Sequence, residues 1–290
     1  MIKSNNYFTQ HEAISLSKEI VSIAPTDTPL TSLLLNRGLT EKASSTIHTW
    51  RERSLSLDED ISTIEGNKDV QTYQTGRAEL NNALELFQKG AEVSGTAMAM
   101  KSTTLSQEVT DRLTELKTNL ERAITRSARN DGSTTPFIRR MQGLESWVDP
   151  SNIVTASTPT ISEADVKAVV KKLWDAGLPS GEYFGLVNAD LKEQIDELYK
   201  DKYSYIAQQN VFGIIVDTIR TNYGNLNLIL SRHASPDKLT VFEPSFLKIA
   251  YLREPQFEAL AKTGDAVSGM VLAEATLKVA SKKALAQLTI

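Results

Sequence analysis

The sequence predicts a mixed α+β chain in which strand-rich segments flank one long helix and one compact α/β lobe. Three observations carry this. Val109, Leu113, Leu116, Leu120 and Ile124 recur at the helical period, as an amphipathic stripe. Residues 46–51 and 273–279 alternate apolar with other side chains, the period of a half-buried strand. Between 151 and 235, helix-period segments are followed by two apolar runs joined by a polar turn.

From the N-terminus, residues 1–42 read as an arm. Ala24-Pro25-Thr26-Asp27-Thr28-Pro29-Leu30 is held extended by its prolines. Thr28 is then a candidate N-cap with Pro29 at the first helical position, and Leu30, Leu33 and Leu34 share one face of a short helix stopped by Asn36 or Gly38. So few apolar residues cannot form a core alone, so the expectation is that they bury on a neighbouring molecule. Residues 43–95 read as two extended runs joined by a polar stretch, a long hairpin. Its outgoing run is Thr46 to Arg51, and its return run is Leu84 to Phe87 followed by Ala91 to Val93. A two-stranded hairpin is marginal in water and needs something to rest on.

Residues 104–130 give the clearest helix, roughly 36 Å for about 24 residues. Glu108, Asp111 and Glu115 lie near its start and Arg122, Arg126 and Arg129 near its end, the order that suits the macrodipole. The arginine trio could also face nucleic acid. Asn130-Asp131-Gly132 breaks the helix.

In the lobe, Ser162 caps a helix whose apolar face is Val166, Val169, Val170, Leu173 and Trp174, ending at Gly177. Trp174 reads as a core aromatic. Asn188 caps a second helix with Leu191, Ile195 and Leu198. The runs 211–219 and 226–230 form a hairpin around Arg220 to Asn225. After it, 239–242 and 248–252 read as strands. The Ala-rich alternation from Ala273 to Val279 leaves both helix and strand open.

Composition excludes much chemistry. The 290 residues carry 32 Lys plus Arg and 36 Asp plus Glu, for a net charge of -4, and no Cys. Disulfides, thiolate nucleophiles and thiolate metal sites are therefore out. No apolar run suggests a membrane span or signal peptide, so a soluble product of a cytoplasm is expected. Nucleotide-binding, hydrolase and zinc-protease motifs are missing. His11, His48 and His233 are far apart in sequence, and Asp58-Glu59-Asp60 reads as a solvated acidic loop. No catalytic, cofactor-binding or metal-binding residue is assigned, and an interaction or structural protein is expected instead of an enzyme.

The order of arm, projecting hairpin, long helix, α/β lobe and closing strands resembles the tailed-bacteriophage major capsid (major head) proteins with the Hong Kong 97-type fold. The motifs that carry the resemblance are Ala24 to Leu30, Val93-Ser94-Gly95-Thr96-Ala97, Gly143-Leu144-Glu145-Ser146-Trp147, Asn222-Tyr223-Gly224, Leu252-Arg253, and Leu260 to Ala266. They span nearly the whole chain.

The resemblance implies an N-terminal arm at 1–42 and an extended loop at 43–100 lying over a neighbouring subunit. It implies a peripheral domain with the spine helix at 101–150, an axial domain at 151–235, and return strands of the peripheral domain at 236–290. It further implies pentamers and hexamers of this chain in an icosahedral or prolate head around double-stranded DNA, touched without sequence specificity on the inner face. Portal and scaffolding proteins are implied partners, and no membrane is. The expected location is the virion, after synthesis in a bacterial host cytoplasm. Because the chain starts at Met1 with no long coiled-coil extension, a separate scaffolding protein is expected. Two other readings compete: the shell of a non-viral protein nanocompartment, and an enzyme built on the α/β lobe.

Overall fold

The computed structural model describes residues 27–55, 60–69, 72, 74–100, 104–133, 135–178, 181–200, 209–211, 214–262 and 264–290. The arm enters as helix α1, Pro29–Asn36. Pro29 fixes the first helical φ, but the Thr28 side chain makes no capping hydrogen bond. The helix ends in a Schellman arrangement: Gly38 at φ +66° donates to Leu35 O, and Leu39 N–H donates to Leu34 O, both at 2.9 Å. Leu30, Leu33 and Leu34 are buried against Leu120 and Ile124 of the same chain. The expectation that they bury on a neighbour is thus corrected, because the stripe of the long helix offers a matching apolar face within the subunit. Pro25 and everything before Asp27 lie outside the described residues.

Strand β1, Thr40–Lys42, runs parallel to Ile249–Tyr251. The hairpin consists of β2, Ile47–Ser54, and β3, Gly76–Ala83, in antiparallel register from Ile47↔Ala83 to Ser54↔Gly76. Its return arm is therefore not the expected 84–93. That stretch is β4, Glu85–Ser94, which pairs along β14, Ala266–Val279. The physical reason is burial. Ala91 and Val93 carry an apolar face that a core can use, whereas the first four residues of β3 are exposed and show no alternation to read.

A short helix α2, Gly95–Ala99, leads to the long helix α3, Leu105–Arg126. Thr104 and Gln107 close a capping box at its start. The helix stops at Arg126, so Arg129 of the expected 104–130 span lies beyond it. Two-residue strands β5, Asn130–Asp131, and β6, Arg139–Arg140, follow as a small ribbon.

The lobe is a seven-stranded sheet ordered β7-β15-β12-β8-β11-β10-β9. Its strands are β7 Ile153–Thr155, β8 Glu182–Val187, β9 Gln209–Val211, β10 Ile214–Thr221, β11 Gly224–Leu230, β12 Lys238–Phe242 and β15 Leu285–Thr289. Helices α4, Glu163–Asp175, and α5, Ala189–Lys200, cover one face. Ser162 and Asp165 form the α4 capping box, and Asn188 Oδ1 accepts from Ala189 N–H at 2.5 Å. Strand β8 shows the period-two logic: Tyr183 and Val187 pack under the helices, while Phe184 and Leu186 enter the other core. Gly185 sits between Leu226, Leu228 and Leu239, where a Cβ would lie 3.0–3.2 Å from their methyl groups.

The second sheet is four-stranded, β1-β13-β14-β4, with β13 spanning Leu247–Ala259. The Ala-rich segment is thus strand. Its small side chains suit a central position, where Ala273, Ala275 and Thr276 are all fully buried. Residues 236–290 do not return to this sheet as a block: β12 and β15 pair with each other in the seven-stranded sheet, next to β8 and β7. Period-two alternation marks each of them as a strand but carries no information about which sheet it joins.

Candidate assembly surfaces

The hairpin base is tied to the body by buried polar contacts. Trp50 packs on Trp147 with ring centroids 5.6 Å apart, and its indole N–H donates to Val279 O at 2.8 Å. Buried Asn82 donates to Leu277 O at 2.8 Å and accepts from Gln142 N–H at 2.8 Å. His48 sits 2.6 Å from Glu41, whose carboxylate also takes Lys278 at 2.9 Å. Burial raises the Glu41 pKa, but hydrogen bonds from Lys278 and His48 outweigh it and hold the group below 4.5. Beyond this base the described residues are exposed, with Leu55, Ile61 and Ile64 at 59, 79 and 80%. Local turns shape the end: Ser62 N–H donates to Asp60 Oδ1 at 2.9 Å, Asn67 N–H to Ile64 O at 3.2 Å, and Gly66 adopts φ +82°. Asp60 is solvated as expected; Asp58 and Glu59 lie outside the described residues.

Strand β4 and helix α3 wall a cleft of about 510 Å³. Leu86, Phe87 and Leu116 line it together with Asn119, Arg122 and Arg126, and Arg140 closes the lining. Lys89 on β4 pairs with Glu115 at 2.5 Å, and Glu115 also holds Arg112 at 2.6 Å. Arg122 and Arg126 are exposed and make no ion pair among the described residues. Burial pushes the Glu85 carboxyl above 4.5, opposed by the Met141 N–H and the charge of Arg140. Behind this wall, burial and then the charges of Arg126 and Arg122 lower the His233 pKa below 6.5, against the pull of Asp27. Arg129 is directed elsewhere, donating to Asn81 Oδ1 of the hairpin at 2.6 Å. The arginine trio therefore does not form a single face.

Three of the four buried glutamates among the described residues are held by donors distant in sequence. Glu121 of α3 accepts from Leu30 N–H at 3.0 Å, Thr31 N–H at 2.7 Å and the Thr31 hydroxyl at 2.6 Å. It does for the α1 N-terminus what Thr28 does not. Burial raises its pKa above 4.5, and the three hydrogen bonds oppose that shift. Glu145 takes the Ser235 N–H and hydroxyl at 2.9 and 2.6 Å. Glu274 pairs with Arg139 at 2.6 Å and Arg253 at 3.3 Å. The one available signal for Glu121 is its place between Leu120 and Ile124, inside the apolar stripe.

On the lobe, Trp174 is 56% exposed and faces Tyr223 of the β10–β11 turn, with centroids 5.8 Å apart. This corrects its reading as a core aromatic. Leu173 takes the buried direction of α4, and the next residue is turned about 100° away. His11 lies outside the described residues. Among those described, no three His, Asp or Glu side chains gather as metal ligands, and no helix is long and apolar enough to cross a membrane.

An arm tied to a long helix, a two-stranded hairpin and a two-sheet body make up the Hong Kong 97-type fold. Solved structures share this arrangement. The capsid of a native GTA particle aligns with TM-score 0.63 and 10% identity over 93% of this chain and 92% of that chain. The capsid of cyanophage P-SCSP1u aligns with TM-score 0.62 and 10% identity over 93% and 90%. The SrpI encapsulin complex from Synechococcus elongatus PCC 7942 aligns with TM-score 0.61 and 14% identity over 95% and 94%. Identities this low establish the fold alone. No curated protein matches the sequence. The family follows from a different comparison: the SU10 major capsid protein model matches residues 3–290, and the chain belongs to that family. It is a viral capsid shell subunit, located in the virion capsid.

Proposed function

We propose that the subunits form pentamers and hexamers through the α/β lobe, building an icosahedral or prolate head around double-stranded DNA. The observation that supports this reading is the exposed Trp174, which packs on half-buried Tyr223 of the β10–β11 turn. Large aromatics half in water are the typical anchors of protein interfaces, and head-to-tail contacts that close give rings. In this reading residues 1–42 are the arm, 43–100 the extended loop, 101–150 the peripheral domain with its spine helix, and 151–235 the axial domain. Residues 236–290 serve both sheets. Portal and scaffolding proteins are the further partners, DNA contact is through phosphates without sequence preference, and the subunit has no catalytic role.

The test is electron microscopy and native mass spectrometry of the full chain with its scaffold, wild type against Trp174→Ser. Five- and six-membered rings and closed shells from the wild type, reduced in the variant, support the proposal. Only monomers and dimers from the wild type would refute it. Closed shells filled with protein cargo instead of DNA would favour the nanocompartment reading.

A further inference from the structure

We propose that Glu41 is a charge clasp that sets the pose of the β2–β3 hairpin on its own subunit, and that cancelling its charge widens the range of poses while the two-sheet body stays folded. The clasp works within one chain, whatever assembly that chain enters.

The hairpin root is fastened at three consecutive residues of β14. Asn82 donates to Leu277 O and the Trp50 indole to Val279 O, each at 2.8 Å. Between these two neutral bonds lies Lys278, which reaches Glu41 at 2.9 Å. Glu41 belongs to β1, whose strand partner is β13. An ionised carboxylate only accepts, so His48 of β2 donates its Nε2–H to Glu41 at 2.6 Å. One side chain thereby joins the arm strand, the hairpin and the far strand of the sheet.

Charge is what Glu41 supplies. Lys248 of β13 and Lys278 of β14 are direct partners in antiparallel register. Like charges directly opposite each other destabilise a sheet, with Cβ atoms only about 4.5–5.5 Å apart. Glu41 holds Lys278 and lies 3.6 Å from Lys248, so it neutralises the pair. Glu41, Lys278 and His48 are half-buried, which limits screening by salt. Glu52, on the same face of β2, is taken by the Ser281 hydroxyl. Among the described residues, no other carboxylate pairs with either lysine. With Glu41 neutral, Lys278 faces Lys248 unscreened and His48 loses its charged acceptor. The remaining ties of Arg129 to Asn81 and of Ser281 to Glu52 are single side-chain bonds, and Trp50 on Trp147 becomes a pivot.

The chain has no cysteine, so Arg77→Cys on β3 and Lys171→Cys on α4, both exposed sites, carry spin labels at two defined places. Electron–electron distances in the full chain should form one narrow distribution with Glu41 present, and one about two-fold wider in Glu41→Gln. Adding Lys248→Gln should restore the narrow distribution, because Lys278 then faces no like charge. Amide exchange over 47–54 should quicken about ten-fold in Glu41→Gln and slow again in the double variant, with β8 and β12 unchanged in both.

An unchanged distribution in Glu41→Gln would overturn the clasp. So would a widening that Lys248→Gln fails to reverse, which would leave Glu41 a plain hydrogen-bond acceptor. If Glu41→Gln alone does not fold, the double variant decides: folded with a narrow distribution it supports the clasp, and unfolded it overturns it.

Discussion

Replacing Glu121 with Ala should free the arm from the long helix. The wild-type carboxylate is fully buried and accepts two backbone N–H groups of the first α1 turn, plus the Thr31 hydroxyl. The hydroxyl is a free rotor, so its loss is discounted. The two amides cannot turn, and a buried donor left without an acceptor costs about 1–3 kcal/mol. The sum is about 2–6 kcal/mol, and a central value of about 4 kcal/mol is close to a thousand-fold in an equilibrium constant. Hydrogen exchange at the Leu30 and Thr31 amides reads this directly, and protection there should fall by about that factor. Glu121→Gln should lose less, because its carbonyl still serves one amide. The pH dependence has a definite sign. Burial raises the folded-state pKa of Glu121 above 4.5, so the folded chain binds the proton more readily than the unfolded one. Its contribution is then full below pH 4.5 and is lost as pH rises through the folded value. Arm protection, corrected for intrinsic exchange, should strengthen as wild type is acidified toward 4.5, with no such trend from position 121 in Glu121→Gln. Unchanged protection of Leu30 and Thr31 in Glu121→Ala would refute the capping role.

Gly143→Ala should destabilise the subunit by about 1–3 kcal/mol, because the new Cβ would lie 2.6–2.9 Å from backbone atoms of Ala123, Arg126 and Ser127; denaturant unfolding measures it. Glu274→Gln should cost about 3 kcal/mol, the low end for breaking a buried pair because Arg139 and Arg253 keep some solvent. A midpoint in urea equal to wild type would show that the two arginines need no buried anion.

The sequence reveals most where burial is one-sided. The stripe from Val109 to Ile124 and the Ser162 and Asn188 caps are local signals, and the structure realises them as helices. The hairpin's return arm escapes a local reading because Gly76 to Glu79 is exposed and leaves no pattern, while 85–94 alternates in service of a different partner, β14. Strand pairing over such distances is decided by tertiary contacts that no local window contains. Trp174 misleads for a related reason: a helix face deduced from spacing has soft edges, and residue 174 falls just outside this one. Glu121, Glu145 and Glu274 are invisible because a buried acid looks like any surface acid until its donors, 90, 90 and 135 positions away in sequence, are known.

The interleaving of the two sheets has a mechanical consequence. One continuous apolar core holds Leu120 and Ile124 from the long helix, Leu277 and Val279 from the four-stranded sheet, and Phe184, Phe242 and Leu285 from the seven-stranded sheet. The chain crosses between the sheets over 94–153, 242–247 and 279–285. A body stitched in three places around a close-packed interior bends little under load. Curvature in any closed surface made from it must then be taken up at the joints between subunits, each of which behaves as a stiff tile.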